Sequence, residues 1–154
     1  MPTSAEHSIR IRQGLDFVNT ALAKEHPNEL VIACFYTCLH MFEAALYDFQ
    51  PRGRPRHLYT HRDRDNFLSA TRLDRNSPFF EVARDYESLR GVSEQARYLS
   101  PAGSETYEPL TPTDTESAKT LYEAIKKTLE GQYQQRLTKS APWLHEPPSA
   151  ATAP

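Results

Sequence analysis

The sequence predicts an all-α protein, an up-and-down bundle of four long helices plus one short helix. Apolar residues recur at three- and four-residue steps through most of the chain, and Thr, Ser or Asn stands ahead of several of those runs as a helix cap. One segment, residues 28 to 49, is apolar on nearly every side, as a helix enclosed by its neighbours must be. Five glycines in 154 residues and 38 % hydrophobic residues suit one packed interior, whereas two half-length domains would each lack one. The chain therefore reads as a single helical domain over residues 1–138, followed by a Pro/Ala/Ser-rich tail over 139–154 that is expected to be disordered.

The first helix is expected over residues 5 to 25. Ile9, Ile11, Leu15, Val18 and Leu22 lie at helical spacing, and His26-Pro27 ends it because a residue before proline avoids the α region. Asn28 is the expected N-cap of the second helix, with Glu29 in its first turn and Leu30 to Phe49 following. The few polar members of this helix, Tyr36, Thr37, His40, Glu43 and Tyr47, are also spaced by three and four and so form one stripe.

After the proline-broken basic turn PRGRPRH, residues 51 to 57, Thr60 and Asp63 make a capping box for a short helix to about residue 71. Ser77-Pro78 opens a helix whose apolar face, from Phe79 through Tyr86 and Leu89 to Tyr98, runs to about residue 99. Residues 100 to 112 have loop composition. Thr113 and Glu116 are the expected capping box of the last helix, with Ala118, Leu121, Tyr122, Ile125, Leu129 and Tyr133 as its apolar face and an end near 138. Beyond it only Trp143 and Leu144 offer apolar side chains that can dock.

A formal charge of −2 argues against a protein that holds nucleic acid by bulk electrostatics, although a local basic patch is compatible with it. Cys34 and Cys38, one turn apart within the apolar run, read as small buried side chains, which fits a reducing cytoplasm. No stretch has signal-peptide composition and no run approaches 18 uninterrupted apolar residues, so neither export nor membrane spanning is expected. The absence of a Gly-rich phosphate loop and of a Gly-x-Ser-x-Gly elbow leaves no cofactor to expect.

Three blocks in order carry a resemblance: CFYTCLHMFEAALYDF, THRDRDNFL and YESLRGVSEQARY, together spanning roughly residues 30 to 99. They resemble the helical HEPN superfamily, named for higher eukaryote and prokaryote nucleotide-binding, in its small prokaryotic branch. The matching positions are Phe35-Tyr36, Leu39-His40 and Glu43-Ala44, then His61 and Arg64, then Tyr86, Leu89, Ala96 and Tyr98. The resemblance implies a binding protein for RNA, a nucleotide or a protein partner, acting as a homodimer, within a toxin–antitoxin or defence locus. Nuclease members carry an arginine followed after four to six residues by a histidine on a late helix, and residues 78 to 99 lack that motif. Where related nucleotide-binding members have an arginine before Ala-Asp-Tyr, this chain has Ser93 and then Ala96-Arg97-Tyr98.

The sharpest site hypothesis places Tyr36, His40 and Glu43 of the central helix against His61, Arg64, Arg97 and Tyr98. Buried polar groups must be paired, so the cluster is either a register-fixing network of its own members or a ligand or RNA-phosphate site. A metal held by His40, Glu43 and His61 is a weaker alternative, since no Glu-x-x-His repeat accompanies them. Arg52, Arg54, Arg56, His57, Arg62 and Arg64, with Tyr59 among them, either contact RNA phosphates and stack a base or form a solvated turn balanced by Asp63 and Asp65. An alternative activity is metal-independent RNA cleavage, with His61 acting on the 2′-hydroxyl and Arg56 or Arg64 on the phosphorane. A third expectation is a purely structural partner protein.

Overall fold

The computed structural model describes residues 3–20, 25–50, 58, 60–97 and 109–145. Over these the protein is all-helical: α1 (Ser4–Val18), α2 (Pro27–Phe49), α3 (His61–Thr71), α4 (Phe80–Arg97), α5 (Pro112–Leu137) and a 3-10 turn (Pro142–Leu144), with no strand among the described residues.

Local chemistry accounts for the helix ends. Thr60 caps α3 in the expected box, its hydroxyl accepting from the Asp63 N–H at 3.1 Å while the Asp63 carboxylate accepts from the Thr60 N–H at 3.0 Å. The box on α5 is Thr111 with Asp114 instead of Thr113 with Glu116, because Pro112 takes the first helical position and its missing N–H costs nothing there. For the same reason α2 begins at Pro27 with His26 outside it, one residue before the expected cap Asn28. α1 ends at Val18 rather than near 25: Asn19 closes it, its backbone N–H and its side-chain amide both donating to the Leu15 carbonyl. The expected Leu22 lies outside the described residues. At the entry to α4 the Ser77 hydroxyl and carbonyl accept from the N–H groups of Phe79 and Phe80, so the chain turns once before the helix begins at Phe80.

α2 packs against α1, α4 and α5, and α4 in turn packs against α5 and α3. Cys34, Phe35, Cys38, Met41, Phe42, Ala44, Ala45 and Leu46 are fully buried, so nearly every face of α2 is covered. By length and composition α2 is apolar enough to cross a membrane, yet 72 % of that stretch is buried against the rest of the protein, as in a core helix. α1 approaches α2 closely at Gly14, where a Cβ would collide with the Thr37 hydroxyl of α2.

Packing continues past residue 138, where the sequence placed the start of a disordered tail. Thr138 adopts a left-handed conformation (φ 52°) that ends α5 and turns the chain back. Ala141 and Trp143 are then buried, the Trp143 indole N–H donates to Glu130 at 3.0 Å, and its ring stands edge-on to Tyr133 at 5.4 Å. The 3-10 turn also contacts α1. The remaining tail, residues 146–154, lies outside the described residues.

Candidate functional site

Four members of the polar stripe of α2 lie in four different environments. Thr37 is buried and donates back to the Ala33 carbonyl at 2.7 Å, so it is satisfied within its own helix. Glu43 is 1 % exposed and its carboxylate accepts from the Arg64 Nε of α3 at 2.7 Å. This ion pair ties α3 to the central helix, and breaking it would strand a charge in the interior. Two hydroxyls on α4, those of Tyr86 and Ser93, are buried without a hydrogen-bond partner among the described residues.

His40 turns to α1. Its Nδ1 lies 3.1 Å from the Nδ1 of His7 on α1, the rings 5.4 Å apart. An N–H···N bond between the two Nδ1 atoms needs one of them to carry a proton and the other a lone pair, so it is lost when both are protonated. Burial, followed by the positive charges of Arg10 and Arg64, holds His40 down at about 4, so it is neutral at pH 7.

Tyr36 is the outward member of the stripe, 39 % exposed. Arg97 of α4 donates to its hydroxyl at 3.1 Å and to the Ser93 carbonyl at 3.3 Å, and its guanidinium carbon lies 5.7 Å from the Tyr36 ring centre and 5.5 Å from that of Phe35. His61, exposed at the start of α3, stands 6.4 Å from the same Phe35 ring. Its pKa is lowered first by partial burial and then by Arg64, Arg90 and Arg97, with Glu94 opposing them. On the other side of Tyr36 a groove of about 290 Å³ runs to His40 between α1 and α2, edged by Arg10 and Gln13. Arg10 is exposed and has no carboxylate within ion-pair distance among the described residues, whereas Arg90 is paired with Asp65 and Glu94.

The site expected from sequence is therefore gathered in part. Tyr36 with Arg97, and Glu43 with Arg64, meet as pairs, and His61 joins them through Phe35; His40 belongs to the α1 side. Tyr98, Arg52, Arg54, Arg56, His57 and Tyr59 lie outside the described residues. Among the described residues no three His, Cys, Asp or Glu side chains gather to hold a metal ion, and the Glu43 carboxylate is already engaged by Arg64. Both cysteines are free and buried, which pushes the Cys34 thiol up to about 12 and raises the Cys38 thiol as well, so neither is a ready nucleophile. Sequence reasoning missed His7 and Arg10. His7 lies four residues before Ile11, on the inward stripe of α1, and that spacing was the available signal.

No known family model, curated protein or solved structure matches the chain. What the geometry defines by itself is an all-helical protein with a cationic, aromatic surface centred on Tyr36.

Proposed function

We propose that the chain is a HEPN-like helical binding protein, an up-and-down bundle whose Tyr36 surface takes RNA or a nucleotide. The observation that carries this reading is an exposed tyrosine ring with Arg97 beside it and Arg10 across the groove. A half-exposed ring stacks a base, and guanidinium groups on either side accept phosphates, without the strong overall basic charge that the chain lacks. Under the same resemblance the protein is a cytoplasmic homodimer of a toxin–antitoxin or defence locus, and it carries no standard nuclease motif.

Fluorescence anisotropy of a labelled single-stranded RNA across a salt series tests the binding reading. Affinity should fall with salt, and Arg97→Gln should weaken binding and flatten the log–log slope by about 0.7 for the lost phosphate contact. Salt-independent binding, or an unchanged slope in the variant, would count against it and leave a protein partner as the ligand of this surface. Sedimentation at the mass of one chain would remove the dimer.

One observation favours RNA cleavage as a second reading: His61 is exposed and held neutral among Arg64, Arg90 and Arg97, the state a general base needs. Since Arg64 is committed to Glu43, the phosphorane would fall to Arg56 or Arg97. Identical fragment patterns from total RNA incubated with the native protein and with His61→Ala would remove this reading. The third reading, a structural partner protein, requires His40→Ala to lower the melting temperature and alter no binding.

A further inference from the structure

A second cavity, of about 520 Å³, lies at the C-terminal end of α2, some 20 Å along the helix from Tyr36. Its walls are the end of α3, the connection from residue 72 to 79 and the last turn of α5. The volume falls in the range of small-molecule sites.

Its apolar part is aromatic. Phe49, Phe67 and Phe79 line it with Ala70, the Phe67 and Phe79 rings 5.6 Å apart and edge-on, and the Phe49 and Phe79 rings 6.0 Å apart. Phe79 is buried behind the other two, and the half-buried Phe49 and Phe67 present ring surface to a flat guest. Its polar part is Arg136. The Nε of Arg136 donates to Gln132 at 2.8 Å and one terminal nitrogen donates to the Asn76 carbonyl at 2.8 Å, so two neutral acceptors fix the guanidinium in place. No carboxylate lies within ion-pair distance of it among the described residues. Asp74, which also lines the cavity, accepts from the Asn76 N–H at 2.9 Å and does not neutralise Arg136.

We propose that this cavity binds a small aromatic carboxylate, with its ring against Phe49 and Phe67 and its carboxylate on the N–H groups of Arg136 that remain uncommitted. A fixed guanidinium loses little freedom on binding, and its planar fork matches a carboxylate. The Tyr36 surface is separate, so the proposal does not depend on RNA binding.

Calorimetric titration of the full chain tests it with three probes of one shape: 3-phenylpropanoate, its neutral amide and the phenethylammonium cation. The acid should bind saturably and about tenfold or more tighter than the amide. Arg136→Gln should abolish that preference while leaving amide binding intact, and Ala70→Trp, which fills the space, should abolish both, with the melting temperature recorded for each variant. Absence of saturable binding by the acid, tighter binding of the cation, or an acid affinity unchanged in Arg136→Gln would each overturn the proposal.

Discussion

At His40 the difference between folded and unfolded protonation is large enough to read in solution. Its native value of about 4 lies below the ordinary 6.5, so between these limits the unfolded chain binds a proton that the folded chain refuses. The stability this group contributes is complete above pH 6.5 and is lost progressively as the pH falls towards 4. The groups facing it are His7 and Arg10 from α1 and Arg64 from α3; the two arginines oppose a charge on the imidazole, as its burial does. Thermal melts between pH 5 and 7 should show the native protein losing stability more steeply than His40→Gln; parallel curves would contradict this account of the pair. That His40 is inward was legible from its place on an apolar helix. Its partner was not, because helical spacing reports which face a residue occupies and not which residue of another helix arrives there. Glu43 met Arg64 as one of the combinations open to it, while His7 was not among the candidate site residues.

The approach of α1 to α2 rests on a glycine, and the helices offer their own control. Gly14→Ala would drive a Cβ into Thr37, whose short side chain is already tied to the Ala33 carbonyl, so the helices must part at a cost of about 1–3 kcal/mol. Gly91→Ala on α4 meets nothing within 4 Å and should gain about 0.5–1 kcal/mol from helix propensity alone. Urea denaturation of both variants checks the signs, and a destabilising Gly91→Ala or a neutral Gly14→Ala would be contrary to the packing described. Elements were the most legible level of the sequence, since apolar periodicity and caps act within a few residues. Their ends were less so. Thr111/Asp114 and Thr113/Glu116 have the same spacing, and only the recognition that Pro112 suits the first helical position separates them.

For the molecule as a whole, the C-terminal return matters most. Trp143, the sole tryptophan, is 3 % exposed, and the Tyr133 ring and Glu130 carboxylate that meet it both come from α5. Its fluorescence should therefore lose intensity and shift red in the same transition that removes helical ellipticity. A tryptophan transition at lower denaturant would instead make the turn an independently melting appendage. Two apolar residues in a Pro/Ala/Ser-rich segment carry no periodic signal, which is why the sequence showed them only as side chains able to dock and not where they dock.

The central claim is that the stripe on α2 splits into a buried structural pair at Glu43 and an exposed binding surface at Tyr36. Melting temperature and RNA affinity, measured together on Glu43→Gln and Tyr36→Ala, test it most directly. Glu43→Gln should lower stability by about 3 kcal/mol and leave the affinity, taken well below the melting point, unchanged. Tyr36→Ala should keep the melting temperature and lose about 1–3 kcal/mol of binding, roughly 5- to 150-fold. Equal RNA affinity in Tyr36→Ala and the native protein, or lost binding in a Glu43→Gln of native stability, would contradict it.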